Sequence, residues 1–145
     1  MLTTSEVYDD AALTALVAAA TLLGADLKMG LYTNVIAATK TLVIADMVEP
    51  AYAGYARQVV VMGAPFRDPV NGIQAQSIGL TWQEAGAITP VIIQGVFFIT
   101  GAGPSFMGIA PFDAPIALND ALDAFTVILQ YIQSSQNQGL QVVVR

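Results

Sequence analysis

The stretch Val91-Ile-Ile-Gln-Gly-Val-Phe-Phe-Ile-Thr100 constrains the fold more than any other part of the chain. It is ten residues long, rich in β-branched and aromatic residues, and strongly apolar on both faces. Turn residues follow it at once in Gly101-Ala-Gly-Pro104. A run of this kind, bounded by turn residues, predicts a β-strand.

Further runs of the same character lie on both sides of this strand. In the longest of them, Ile73 to Trp82, the alternation places Ala75 and Ser77 on the face opposite Trp82. Many short strands at regular spacing predict a mainly β chain, either an antiparallel β-sandwich or a jelly-roll-like barrel, over residues 25–145. The other predicted strands are Lys28 to Thr33, Leu42 to Met47, Arg57 to Met62, Phe106 to Phe112, Phe125 to Gln133 and Leu140 to Val144.

The first 24 residues have a different pattern and predict an N-terminal α-helix that forms an arm. Thr3 and Glu6 have the spacing of a capping box, and Gly24 supplies a left-handed C-cap. Because a lone amphipathic helix needs a surface to pack on, we expect either its apolar stripe or the strand ending at Arg145 to contact a partner subunit. The residues of that stripe chosen as interface candidates are Leu13, Leu16, Val17 and Leu23.

The composition favours an oligomer. Charged residues make up 11% of the chain, where about 25% is usual, and 55% of the residues are hydrophobic. So few charged side chains cover only a small part of the surface of a domain this size. Since large exposed apolar patches are rare on soluble monomers, we expect a homodimer or homotrimer.

The residue inventory excludes several functions. With no His and no Cys, the chain has no His-based triad, no thiolate nucleophile and no zinc or iron–sulfur ligand set. A net charge of −6 argues against nucleic-acid binding, and no apolar stretch reaches the roughly 20 residues of a membrane span. We therefore predict no enzyme activity, no cofactor and no metal. A hydrolase built on two of the eleven carboxylates is the remaining enzymatic alternative. For Asp120 and Asp123, exposure to solvent at the surface or capping of a turn is favoured over binding of Ca²⁺.

Tyr52-Ala-Gly-Tyr55-Ala-Arg57 is the densest aromatic cluster. Tyrosine rings stack on sugars, so a glycan site that also uses Trp82 is one interpretation. The favoured interpretation is a turn through Gly54 that leads into a strand, with Tyr55 in the core or at an interface. We expect Arg57 to pair with Glu49 or Asp46 across this turn, and we include Tyr52, Tyr55, Arg57 and Trp82 among the interface candidates.

Residues 27–133 also carry a pattern of strands and turns. It begins with Leu27-Lys-Met-Gly-Leu-Tyr-Thr-Asn34 and continues in Ala45-Asp-Met-Val-Glu-Pro-Ala-Tyr-Ala-Gly-Tyr55. Gly95-Val-Phe-Phe-Ile-Thr100 and Pro115-Ile-Ala-Leu-Asn-Asp120 follow. In this pattern the chain resembles a group of small phage and prophage virion proteins.

The resemblance implies a non-enzymatic part of a virion and carries over no catalytic residue. The leading expectation is a capsid cement or decoration protein, made in the host cytoplasm and placed on the capsid surface. Its partners would be further copies of itself and the major capsid protein. The alternative is a tail-fibre or receptor-binding module that recognises host glycans through Tyr52, Tyr55 or Trp82.

Overall fold

The computed structural model describes residues 27–68, 72–86, 90–100, 106–133 and 138–145. These residues form antiparallel β-sheets and contain no α-helix, so the prediction of a mainly β chain is confirmed. The helix predicted for the first 24 residues lies outside the described part. The strands are β1 Leu27–Tyr32, β2 Gln58–Val59, β3 Phe66–Asp68, β4 Gly72–Gln76, β5 Leu80–Gln83, β6 Val91–Thr100, β7 Phe106–Leu118, β8 Ala124–Gln133 and β9 Gln138–Val144.

The strands form two sheets. The first sheet has the order β2-β1-β6-β7, and the second has the order β3-β4-β8-β5 with β9 paired to β8. Val127 of β8 pairs with Leu80 on one side and with Val144 on the other, so β9 forms an edge of the second sheet. On the opposite side of β8, β4 and β5 follow one another along the same line.

One cluster of buried residues draws from both sheets. Met29, Leu31 and Val96 come from the first sheet, and Trp82 and Leu129 come from the second. Tyr52, Tyr55 and Phe112 are among the partly buried residues that pack against it. The apolar residues that alternate along each strand therefore meet in a shared core.

Strand β6 is apolar on both faces. The face that points away from the shared core packs in a second core cluster. Phe97 and Ile99 alternate with the residues that face the shared core, and they pack with Tyr32 and Met47. The loop that follows β1 supplies the cover through Ile36, Leu42 and Ile44. From Gly95 to Ile99 both faces of β6 are thus largely buried, because one lies between the sheets and the other lies under a loop, whereas Ile92 near its start is 53% exposed.

A single segment, residues 58–68, joins the two sheets along one side of the domain. Its start pairs with β1, where the Val60 N–H donates to the Leu27 carbonyl at 2.9 Å. Its middle turns to the second sheet, where the Gly63 N–H donates to the Gln76 carbonyl at 2.7 Å, and its end pairs with β4. We call residues 58–68 the crossing segment. The sequence predicts a strand from Arg57 to Met62. In the structure only Gln58 and Val59 form a regular ladder, because the segment then changes partners.

A one-residue bulge separates β4 from β5 and corrects the predicted faces of this run. Gln76 pairs with Gln130, and Leu80 pairs with Val127. The chain therefore advances four residues from β4 to β5 where β8 advances only three. As a result Ala75, Ser77, Leu80 and Trp82 all point inward, and Ile78 is 56% exposed. The prediction that Ala75 and Ser77 lie on the face opposite Trp82 was wrong, since a bulge shifts the alternation by one residue.

Two other strand predictions also need correction. Ile44–Asp46 is a short 3-10 helix rather than part of a strand, because the Asp46 carboxylate accepts the Val43 N–H at 2.9 Å. The strand predicted to end at Phe112 continues to Leu118. Two prolines lie within it, and β7 accommodates them because it is an edge strand.

Candidate functional site

The aromatic cluster of the sequence forms a turn, as predicted. Gly54 has φ of +89°, a conformation that favours glycine, and the Tyr55 N–H donates to the Tyr52 carbonyl at 3.3 Å. An added Cβ at Gly54 would lie 3.0 Å from the Ala85 side chain. The two tyrosine rings meet edge to face, with centroids 5.6 Å apart.

Tyr55 completes the edge of β1. Its hydroxyl accepts the Leu31 N–H at 3.0 Å, in a strand whose pairing with β2 covers only Lys28 and Met29. Burial raises the pKa of the Tyr55 phenol above its ordinary value, and the nearby Glu49 carboxylate adds to the rise. The side chain is therefore part of the fold, and its hydroxyl is already used.

Arg57 pairs with Glu49, which confirms one of the two partners predicted for it. The guanidinium also lies over the Phe97 ring, with Cζ 5.4 Å from the ring centroid. The Phe97 ring in turn fills the space above Gly30, where an added Cβ would lie 2.3 Å from the ring. Hydrogen bonding to Glu49 raises the pKa of Arg57 further. These contacts fasten the loop to the first sheet.

Trp82 lies inside the core. It is 2% exposed, its Nε1 donates to the Ala56 carbonyl at 3.0 Å, and its ring stacks on Phe125 at 6.0 Å between centroids. In this position the ring has no free face for a sugar or a second subunit. Tyr52, Tyr55 and Arg57 lie close by in the turn, whereas Leu13, Leu16, Val17 and Leu23 lie outside the described residues.

The Glu84 carboxylate and the Tyr52 hydroxyl are two buried polar groups that the sequence did not reveal. Glu84 is 1% exposed, and neither its Oε2 nor the Tyr52 hydroxyl has a hydrogen-bond partner among the described residues. Desolvation, reinforced by the Glu84 charge, raises the pKa of Tyr52 to about 12. Leu80 and Trp82 point inward, and Glu84 lies two residues after Trp82. The alternation of a strand therefore predicts that Glu84 also points inward, but only when the position of the bulge is known.

Asp123 caps a turn, as favoured from the sequence. Its Oδ2 accepts the N–H groups of Asn119 at 2.8 Å and Asp120 at 2.9 Å. These two donors lower the pKa of the exposed Asp123 carboxyl. Across the described ranges, no group of three or more acidic, His or Cys side chains could hold a metal ion.

Three exposed apolar side chains form a patch on and beside the crossing segment. Val59 and Val61 are 50% and 47% exposed, and Ile78 is 56% exposed at the neighbouring bulge. The Ile78 N–H donates to the Val61 carbonyl at 2.9 Å, which holds the two residues together. We call Val59, Val61 and Ile78 the crossing patch. The sequence does not predict this patch, because Val59-Val-Val61 has the pattern of a plain strand, whereas in the structure only Val60 is fully buried.

Comparison of the chain with protein-family models, with curated proteins and with solved structures gives no match. In the described part of the chain, no helix is long and apolar enough to cross a membrane.

Proposed function

We propose that the chain is a non-enzymatic structural subunit that acts by binding other protein subunits, first of all further copies of itself. The observation that carries this proposal is the crossing patch. Soluble proteins commonly protect an edge strand with charges, prolines or a covering element. Val59, Val61 and Ile78 are instead apolar and about half exposed.

The chemistry-bearing side chains also support a structural role. Tyr55, Arg57, Trp82 and Asp123 all have partners within the chain, and each of them stabilises a turn, a loop or the core. We propose further that the domain is a β-sandwich rather than a jelly-roll-like barrel. One core cluster drawn from both sheets supports that choice.

Within this proposal the assembly is a virion, and the subunit is a capsid cement or decoration protein that binds the major capsid protein. This part depends on the resemblance of residues 27–133 to virion proteins. The alternative, a tail-fibre module that binds glycans, requires exposed aromatic rings. The inward packing of Tyr55 and Trp82 gives it no support.

The native mass of the full-length chain, measured by light scattering at low and high salt, tests the self-association. We expect a dimer or trimer whose mass does not change with salt, because salt screens charges and not apolar contacts. Val61→Lys places a charge in the crossing patch and is expected to give a monomer. Val35→Lys is the matched control, because it makes the same change at a side chain that is 89% exposed outside the patch.

A monomeric wild-type chain would contradict the proposal. So would a Val61→Lys variant that keeps both the wild-type mass and the wild-type circular dichroism spectrum. Sedimentation with empty capsids of the virus that encodes the chain then tests the virion part. Failure to co-sediment would overturn the capsid assignment and leave the self-association standing.

A further inference from the structure

The side of the domain opposite the crossing segment has two free strand edges. β7 is the last strand of the first sheet, and β9 is an edge of the second. The two strands pass close to each other, but no hydrogen-bonded ladder joins them among the described residues. We call this the open side. Its two edges differ, and only one of them is suited to pair with a further strand.

The edge of β7 is poorly suited to pairing. Pro111 and Pro115 have no N–H to donate to a neighbouring strand. From Pro111 to Ile116, β7 advances five residues where β6 advances only two. Three extra residues therefore bend β7 at this point. Prolines and bulges are common ways in which proteins protect an edge strand from pairing.

The edge of β9 has neither protection. Its seven residues, Gln138–Val144, include no proline and no charged residue. They pair with β8 in one continuous register without a bulge. A regular, uncharged edge strand of this length presents a row of backbone groups to any extended chain that reaches it.

The pairing with β8 determines where the backbone groups of β9 point. The Arg145 N–H donates to the Thr126 carbonyl at 2.8 Å, and the Thr126 N–H donates to the Arg145 carbonyl at 2.9 Å. Because such pairs alternate along an antiparallel ladder, Val143 also bonds to β8, whereas Val142 and Val144 direct their N–H and carbonyl groups away from it. No described strand lies on the side to which they point.

An apolar groove of about 470 Å³ lies beside this free edge. Val142 and Val144 line it on one side, and Phe112 and Ile116 of the bent β7 line it on the other. Val144 is 37% exposed, so the groove is open to water at this edge. Every second side chain of a strand added to β9 would point toward the first sheet and enter the groove. Burial of apolar side chains there would be favourable.

The charge at the groove favours a basic segment. Asp113 is exposed on β7 and is the charged residue among those that line the groove. A lysine or arginine in an added strand could pair with this carboxylate, whereas an acidic segment would be repelled. A second copy of this chain, with eleven acidic and five basic residues, therefore matches the site less well than a basic segment does.

We propose that the free edge of β9 is a docking site for an extended segment of a different protein. In this segment apolar residues alternate with polar ones, and a lysine or arginine lies near one end. Backbone hydrogen bonds to Val142 and Val144 provide the affinity, and the groove with Asp113 provides the specificity. The interaction goes beyond the proposed self-association, which uses the crossing patch on the other side of the domain.

Amide hydrogen exchange of the full-length chain tests whether the edge is free. We expect the amide of Val143 to exchange at least about tenfold more slowly than those of Val142 and Val144, because only Val143 bonds to β8. Equal protection of the three amides would overturn the proposal. It would mean that another part of the chain, or a second copy, already covers the edge.

A synthetic peptide tests the docking itself. The probe has blocked ends, alternating valine and threonine residues, and a lysine near one end. The control peptide has the same sequence with proline at its central position, which removes one N–H and disfavours an added strand. Nuclear magnetic resonance titration of the nitrogen-15-labelled full-length chain measures both dissociation constants and locates the amides that respond.

We expect the probe to bind at least about tenfold more tightly than the control peptide. Bound probe is expected to slow exchange at Val142 and Val144 and to leave Val143 unchanged. Equal affinities for the two peptides would overturn the proposal. Binding that leaves the exchange of Val142 and Val144 unchanged would also overturn it.

Two variants separate the backbone contact from the charge contact. Val144→Pro removes an N–H that points away from β8, so we expect the ladder with β8 to persist and probe binding to be lost. Val144→Thr is the matched control, because it keeps the N–H. Asp113→Lys is expected to weaken binding of the lysine probe by about tenfold at low salt, and less at high salt. A probe with glutamate in place of lysine is expected to bind Asp113→Lys more tightly than the wild type.

Wild-type affinity in Val144→Pro would contradict the backbone contact, and an unchanged charge preference in Asp113→Lys would contradict the charge contact. Asp113 is exposed, so this variant decides the question even where Val144→Pro does not fold. The probe is expected to bind Val61→Lys with wild-type affinity. A monomeric wild-type chain that binds the probe would support this inference and contradict the self-association, and an oligomer that fails to bind it would do the reverse.

Discussion

The two sides of this domain treat the free edges of their sheets in different ways. On the closed side the crossing segment, residues 58–68, pairs first with β1 and then with β4, so one piece of chain serves both sheets. On the open side the outer edges of β7 and β9 have no neighbouring strand among the described residues. Two sheets can therefore share a core although a chain segment pairs with both of them on one side only. On the other side, between β7 and β9, the contact is made by side chains and not by backbone hydrogen bonds.

The largest expected effect is the loss of stability when an aromatic neighbour of Phe125 is replaced by Ala. We expect this loss to differ between the two sides. Trp82 on the closed side and Phe112 on the open side each lie 6.0 Å from the Phe125 ring. Trp82→Ala is expected to lower the free energy of unfolding by about 3–5 kcal/mol, because the side chain is fully buried. Phe112→Ala is expected to cost roughly half as much, because part of its ring is already exposed. Urea denaturation followed by circular dichroism measures both, and equal losses would contradict the contrast between the sides.

A smaller effect is expected at the bulge on the closed side. The Ser77 hydroxyl accepts the buried Leu129 N–H at 2.9 Å, and the Ser77 N–H donates to the Leu129 carbonyl at 2.8 Å. Ser77→Ala leaves the Leu129 N–H without its partner and is expected to cost about 1–3 kcal/mol. Thr81→Ala is the control, since it removes an exposed hydroxyl that hydrogen-bonds to the Thr126 hydroxyl at 2.8 Å. A loss at Ser77 no larger than the control's would show that the bulge does not need this hydrogen bond.

The smallest expected effect on stability at neutral pH is that of replacing Tyr52, which lies in the turn that leads into the crossing segment. Its pKa is raised from 10.0 to about 12 by burial, with a contribution from Glu84. The folded state holds the phenol proton more tightly than the unfolded state. The contribution of the protonated phenol to the free energy of unfolding is therefore fully present below pH 10 and is lost as the pH rises from about 10 to about 12.

Tyr52→Phe removes this titration. Its free energy of unfolding is expected to fall less than that of the wild type between pH 10 and 12, as measured by urea denaturation at each pH. The remaining slope reports Tyr55 and Tyr32, whose pKa values burial also raises. An unchanged pH profile would show that Tyr52 is ionised equally in both states.

Most strands were predictable because their apolar and β-branched runs end at turn residues. The predictions for β6, β8 and β9 match the structure to within two residues, and the Arg57 pair with Glu49 was one of two predicted alternatives. The 3-10 helix Ile44–Asp46 was not predictable from its run of apolar residues, since a single carboxylate redirects the local backbone.

The surface features were harder to predict. The crossing patch depends on a segment that changes sheets, and neither sheet is visible in a local pattern. The buried position of Glu84 depends on the bulge, because without the one-residue shift it would fall on the outer face. These features arise from long-range pairing, whereas sequence reasoning works over short windows.

The bulge also decides which residue numbers face the core. Before it the inward positions are odd-numbered, as at Ala75 and Ser77, and after it they are even-numbered, as at Leu80 and Trp82. The extra residue lies between Ser77 and Leu80, where three steps of the chain lie opposite two steps of β8. Deleting either Ile78 or Gly79 would therefore join the two halves into one regular alternation and leave Leu80 and Trp82 facing inward. A one-residue deletion is thus expected to be better tolerated here than inside β4 or β5, where it would turn the residues beyond it to the wrong face.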